Sequence, residues 1–227
     1  MSKASAHWMC VLGALMMAVA IGRAQAATPV LYYWDFVFDT VVTGDSPSGS
    51  SPWATLRVED TGSPGEVKFT LWANLKGSEE FISGLWLNIA PYQGVSFGGG
   101  SLTGISYMAL AQNGEDGLSN AGRSFDVQFA FPTAVPADRL TNSMVVTWVL
   151  KGNNLTANHF KTLSGAAGQN SALWAMIHVQ GISGGQEGSG KIAPSGEPQG
   201  GVIPEPATLV LFGMGLAAPL VARWRKR

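Results

Sequence analysis

The amino-acid sequence predicts an all-β protein, and three observations support this fold class. Apolar and polar residues alternate with a period of two, as in Val67, Phe69 and Leu71 against Lys68 and Thr70. Turn-forming residues separate the alternating segments, and charged residues make up only 13% of a chain that contains 29 glycines. About eight short strands at this spacing favour a β-sandwich of the jelly-roll type, with a barrel as the alternative.

Turn-forming residues separate the eight predicted strands. The segment 60–65 reads Asp-Thr-Gly-Ser-Pro-Gly, which predicts a hairpin turn, and 43–52 is a loop rich in Gly, Ser and Pro. A second stretch rich in these residues, 181–201, predicts a flexible linker after the last strand. The predicted strands are 31–42, 54–59, 67–75, 85–89, 105–111, 125–131, 145–151 and 172–180.

The first 26 residues, 1–26, have the organisation of a secretory signal peptide. Lys3 precedes an apolar core over 8–21, and Ala24-Gln25-Ala26 forms an A-x-A cleavage signal. A short N-terminal anchor is the alternative. Cys10, the single cysteine, lies inside this segment, so the mature protein has no thiol for catalysis or for a cysteine metal site. The β-domain is therefore expected to cover 27–180.

The C-terminal segment 202–227 combines three features with separate physical roles. Pro204, Glu205 and Pro206 form an extended segment, because prolines on both sides of the glutamate prevent a helix and a central strand alike. An apolar run of about 16 residues follows, close to the lower limit for a membrane-spanning helix. Four basic residues in the final five then favour retention of this end on the cytoplasmic side of the membrane: Arg223, Arg225, Lys226 and Arg227.

This order and spacing resemble the PEP-CTERM sorting domain of Gram-negative bacteria, in which an exosortase recognises the Pro-Glu-Pro box and removes the tail. The resemblance implies an exosortase as partner and a precursor held briefly in the inner membrane. It also implies a mature protein at the cell surface or in the extracellular matrix. The runs 53–62 and 178–192 are similar to uncharacterised exosortase-dependent extracellular β-domains. That second resemblance implies a link with exopolysaccharide and supplies no catalytic residues.

Charge and composition limit the classes of function. Loss of both ends removes six of the 14 basic residues. The remaining net charge of about −6 to −7 makes nucleic acid an unfavourable partner. No motif in the chain predicts a cofactor. Glu59 and Asp60 offer oxygen ligands for calcium, but they follow no recognised calcium-loop spacing and a role in the turn explains them, so we predict no metal site.

Two tryptophans form the candidate binding site. Trp72 falls on the polar face of its strand near Asn74, and Trp86 falls on the polar face of another strand beside Asn88. If these two strands are neighbours, the indole rings and amide groups form a flat surface that suits the apolar and polar sides of a sugar ring. The alternative is that both faces of these strands are buried in the core of a sandwich.

A catalytic site is the weaker hypothesis. Ser96 lies in a G-x-S-x-G sequence, but no predicted strand-to-helix turn surrounds it, as a nucleophile elbow requires. His178 is expected to be a partly buried structural histidine. We therefore predict no catalytic residue and expect a non-catalytic structural or glycan-binding protein. The alternative is a secreted hydrolase that acts on polymer or ester bonds through Ser96 or a pair of carboxylates.

Overall fold

Alternation of apolar and polar residues produces the strands, as the sequence predicts. In a computed structural model, which describes residues 30–98, 104–111, 117–166 and 170–203, the strands Ala54–Asp60 and Glu66–Ala73 bury every second side chain. The described part of the chain contains two short 3₁₀ helices, Pro136–Asp138 and Ala157–Phe160, and otherwise strands and loops.

Fourteen strands occur among the described residues. They are β1 (Leu31–Gly44), β2 (Ala54–Asp60), β3 (Glu66–Ala73), β4 (Phe81–Leu87), β5 (Val95–Phe97), β6 (Tyr107–Leu110), β7 (Leu118–Asn120), β8 (Arg123–Phe125), β9 (Val127–Ala130), β10 (Val145–Gly152), β11 (Gly165–Ala166), β12 (Ala175–Gln180), β13 (Ser189–Pro194) and β14 (Gln199–Ile203).

Eleven of these strands form one antiparallel sheet that curls around a single core. Its order is β5-β10-β3-β2-β1-β13-β12-β4-β9-β6, and β14 pairs with the first half of β1. Side chains from the two ends of this order meet inside: the ring of Phe129 on β9 lies 6.3 Å from that of Phe97 on β5 and 4.9 Å from that of Trp148 on β10. The all-β class is thus confirmed with a nearly closed, barrel-like sheet, and the two-layer jelly roll is not confirmed.

Aromatic side chains fill the centre of the core. The ring of Phe69 stacks on that of Trp148 at 5.2 Å, and Phe160 meets Phe69 edge to face at 4.9 Å. Both phenylalanines are fully buried. Phe160 belongs to the second 3₁₀ helix, whose first residue Ala157 donates its backbone N–H to the carboxylate of Asp60 at 2.7 Å. The core and this charge-assisted bond together hold the helix against the sheet.

The prediction of a flexible linker over 181–201 is wrong, because β13 and most of β14 lie there. β13 occupies the middle of the sheet, between β1 and β12, and its Ile192 is fully buried. Gly190 serves close strand pairing instead of flexibility, because a Cβ atom there would overlap the carbonyl oxygen of Asp45. The β-domain therefore does not end at 180, and its sheet continues to Ile203.

Three predicted features lie outside the described residues: the signal peptide 1–26, the Pro-Glu-Pro box and the apolar tail with its basic end. Within the described ranges, no helix is both long enough and apolar enough to cross a membrane.

Candidate functional site

The structure separates the two tryptophans of the predicted site. Trp72 lies on β3 and is 37% exposed, whereas Trp86 lies on β4 and is 6% exposed. Four strands stand between β3 and β4 in the sheet order, so the two indole rings do not form a common surface. Of these two tryptophans, only Trp72 presents its ring to solvent.

A second, small sheet explains why Trp86 is covered. β11, β8 and β7 form this sheet, and Phe125 from β8 packs with Trp86 and Met176 in a separate apolar cluster. Trp86 does point away from the main core, as the alternation predicts. The strands of this small sheet have only two or three residues each, which is too short for a period-two pattern in the sequence. The sequence therefore did not predict the layer that covers Trp86.

The two asparagines of the predicted site also differ. Asn74 follows β3, donates its side-chain amide to the carbonyl of Pro52 at 2.7 Å, and accepts from Lys76 at 2.8 Å. Asn88 is 1% exposed, and its side-chain amide donates to the carbonyl of Leu173 at 3.4 Å. Asn74 therefore stays near the accessible tryptophan, while Asn88 is enclosed by protein.

The exposed tryptophan belongs to the outer face of the sheet, which we define as the outward-pointing side chains of β10, β3, β2 and β1. One row across this face is set by the sheet register: Val145 pairs with Trp72, Trp72 with Thr55, and Thr55 with Val37. In the next row the hydroxyl groups of Thr147 and Thr70 lie 3.5 Å apart. An indole ring therefore lies among threonine hydroxyls on an accessible surface.

A groove opens at one end of this row, where the partner strand of β1 is interrupted. β13 pairs with β1 as far as Phe38, and β14 resumes the pairing at Asp35, so residues 195–198 loop outward between them. The groove has a volume of about 200 Å³, which suits one ring of a larger ligand better than a whole drug-sized molecule. Its lining includes Asp35, Val37, Asp39, Ser195, Glu197 and Gln199.

The carboxylates of the groove are held in fixed positions by partners. Arg57 binds Asp35 through two parallel bonds, Nε to Oδ1 at 2.8 Å and Nη2 to Oδ2 at 2.7 Å. The hydrogen bond to Asp35 raises the pKa of the Arg57 guanidinium, against a smaller opposing effect of burial. Lys161 binds Glu197 at 2.6 Å. Each carboxylate is thus held in a defined position, and its remaining lone pairs can still accept hydrogen bonds from a ligand.

Asp39 fixes the outward loop itself. Its carboxylate accepts from both the backbone N–H and the hydroxyl of Ser195, each at 2.7 Å. Val37 joins the groove to the outer face, because it lines the groove and stands in the same register row as Trp72. Two strand spacings, about 10 Å, separate these two positions.

The structure does not bring Ser96, the candidate nucleophile, together with a described histidine that could act as its base. Ser96 is exposed on β5, opposite Lys151 of β10. His178 places Nδ1 3.0 Å from the hydroxyl of Ser83, and His159 places Nδ1 2.9 Å from the hydroxyl of Thr156. Burial, together with the charge of Lys191, lowers the pKa of His178 to about 4. Each histidine thus contacts a serine or threonine other than Ser96.

Asp60, whose carboxylate could in principle bind calcium, has a structural role. Its two carboxylate oxygens accept backbone N–H groups of Tyr32 at 2.8 Å and of Ala157 at 2.7 Å. Glu59 is paired with Lys68 at 2.5 Å. The described residues contain no group of three or more His, Cys, Asp or Glu side chains arranged to hold a metal ion.

Fold and surface together define an all-β domain with an aromatic and polar outer face. Comparison with known families adds one match: residues 202–226 match the PEP-CTERM protein-sorting motif. The chain therefore carries this motif, as the sequence predicts, and the motif implies export, anchoring in the membrane and sorting by an exosortase. No curated protein and no solved structure matches the chain.

Proposed function

We propose that the mature protein is a non-catalytic, glycan-binding component of the extracellular matrix that an exosortase delivers to the cell surface. The observation that carries the proposal is the placement of Trp72 and the groove on one accessible face. A sugar ring has apolar C–H faces and polar hydroxyl edges. An exposed indole flanked by hydroxyl and carboxylate groups is complementary to both.

The dimensions of the face favour a polymer over a single sugar. The indole and the groove are about two strand spacings apart, roughly 10 Å, so a ligand must extend over more than one ring to use both. Arg57 and Lys161 orient Asp35 and Glu197 before a ligand arrives, which reduces the entropy lost on binding. Exopolysaccharide made by the same bacterium is the polymer that we expect the face to bind.

The first test is affinity electrophoresis of the exported protein in gels that contain the exopolysaccharide of the producing bacterium. We expect saturable retardation and at least tenfold weaker binding for Trp72→Ala, equivalent to about 1.4 kcal/mol. Trp72→Phe keeps an aromatic ring and should lose less. Tyr107→Ala is the matched control, because Tyr107 is 51% exposed on β6, outside the outer face.

Circular dichroism must show the same fold for all variants. Absence of wild-type binding, or equal binding by wild type and Trp72→Ala, would remove the proposal.

Three carboxylates in one groove favour a hydrolase as the second candidate. Asp35, Asp39 and Glu197 all line the groove, and a pair of carboxyl groups is what glycoside hydrolysis requires. Release of reducing ends from the same exopolysaccharide tests this alternative. If wild type releases reducing ends and both Asp39→Asn and Glu197→Gln lose this activity, the hydrolase replaces the non-catalytic proposal. If the polymer stays intact after prolonged incubation, the non-catalytic proposal is supported.

A further inference from the structure

A second polar cluster lies on the outward side of β4, β12 and β13. Lys191 on β13 pairs in register with His178 on β12, and the hydroxyl of Ser83 on β4 contacts the His178 ring at 3.0 Å. The Lys191 ammonium also lies over the indole of Trp86, 5.2 Å from the ring centroid. Three neighbouring strands thus bring a cation, an imidazole, a hydroxyl and an indole together.

We propose that this Lys191 cluster binds the carboxylate of an acidic sugar, and so gives the protein a preference for acidic polysaccharide. The identity of the ligand rests on the proposed glycan-binding function, whereas the anion site itself rests on the surroundings of Lys191.

Lys191 differs from the other lysines in the described part of the chain. Lys68, Lys151 and Lys161 each form an ion pair at 2.5–2.6 Å, and Lys76 is exposed and bonded to an asparagine. Lys191 is partly buried and has no carboxylate partner among the described residues. A cation that is withdrawn from water without a counter-ion is unfavourable. An anionic ligand would relieve that cost.

The described neighbours of Lys191 do not compensate its charge. Burial alone lowers the pKa of Lys191, and the pKa of His178 falls to about 4 through burial and then through the charge of Lys191. His178 is therefore neutral at pH 7. Across β1 the register partner of Lys191 is Thr43, and β4 contributes the neutral side chains of Ser83 and Trp86. The cluster consequently has one full positive charge at neutral pH.

The apolar side of the cluster favours an organic carboxylate over a fully hydrated inorganic ion. Gly84 makes room for the indole, because a Cβ atom there would lie 2.7 Å from Cη2 of Trp86. The ammonium thus lies over an aromatic ring, and its strand neighbours the one that carries His178, which contacts Ser83. A sugar carboxylate combines charge with the hydroxyl and C–H groups that such mixed surroundings accommodate.

The test uses sodium D-glucuronate, D-glucose and inorganic phosphate as probes, with the exported protein and the His178 imidazole observed by NMR. Glucuronate should raise the pKa of His178 from about 4, because it neutralises the nearby cation. D-glucose should leave it unchanged. Lys191→Gln should raise the pKa of His178 without any ligand, and should weaken glucuronate binding at least tenfold.

Arg139→Gln is the matched control, because Arg139 also lies over an aromatic ring, 4.4 Å from the centroid of Phe81, but belongs to neither the outer face nor the Lys191 cluster. It should leave glucuronate binding unchanged. Lys191→Met keeps the length of the side chain and should fold stably without binding glucuronate. Equal glucuronate binding by wild type and Lys191→Gln would overturn the proposal, as would tighter binding of phosphate than of glucuronate.

The two proposals fail separately. Glucuronate binding at Lys191 together with wild-type retention by Trp72→Ala would keep the anion site and remove the proposed outer-face function. Polysaccharide binding that depends on Trp72 but not on Lys191 would keep the outer-face function and remove the anion site.

Discussion

Truncation of Ile192 tests whether the C-terminal strands belong to the folded core. Ile192 is fully buried on β13, with Val41 on β1 and Ile177 on β12 as its register partners. Ile192→Ala removes three carbon atoms, which corresponds to about 2.4 kcal/mol of transfer free energy at ~0.8 kcal/mol each. The cavity that remains adds to this, so we expect a loss of about 3–4 kcal/mol in the free energy of unfolding.

The measurement is urea unfolding of the exported protein, followed by tryptophan fluorescence. With a slope of about 2 kcal/mol per M, the midpoint should fall by about 1.5–2 M for Ile192→Ala. Ile192→Val removes one carbon and should cost about 1 kcal/mol.

Val202→Ala is the matched control in the same part of the chain. Val202 is 54% exposed on β14, and its truncation should cost less than about 1 kcal/mol. An Ile192→Ala variant no less stable than Val202→Ala would refute the placement of β13 in the core and restore the linker.

Three further predictions concern pH, a buried carboxylate and a close strand contact. Because the pKa of His178 lies at about 4, below the ordinary value of 6.5, its stability contribution is complete above pH 6.5 and is lost as the pH falls towards 4. We expect about 1–2 kcal/mol after allowing for solvent screening, and His178→Gln should flatten this part of the stability profile. Asp60→Ala leaves two backbone N–H groups without their charged acceptor and should cost about 2–4 kcal/mol in urea unfolding; a loss below 1 kcal/mol would contradict that role. In thermal unfolding, Gly190→Ala should destabilise the sheet by about 1–3 kcal/mol, while Gly196→Ala, which has nothing within 4 Å of the added atom, should have little effect; equal effects would count against the pairing of β13.

The strands that the sequence predicts well are those with one solvent-facing side. β2 and β3 alternate buried and accessible residues along their whole length, and β10 does so from Val145 to Lys151, so periodicity identifies them directly. β13 contains Gly190 and ends at Pro194, and Gly188 lies just before it. That composition is typical of a linker, and only pairing with β1 and β12 makes it a central strand.

The candidate site was predictable in part for the same reason. Alternation along one strand places Trp72 on the accessible side, and this needs no knowledge of other strands. The burial of Trp86 depends on a small sheet that is built from short segments distant in the sequence. The groove depended on where the partner of β1 is interrupted, near Asp35 and Asp39, which no pattern within β1 indicates.

The central position of β13 has a consequence for the timing of folding during export. A chain that crosses the membrane from its N-terminus delivers β1 first and β13 near the end, after Gln180 has already passed. Until Pro194 has emerged, β1 and β12 lack the strand that lies between them, and the sheet stays open at its middle. The complete sheet therefore cannot close until this late segment of the chain has crossed. The Pro-Glu-Pro box follows Ile203 directly, so the last strands of the sheet and the sorting motif are neighbours in the chain and reach the membrane close together.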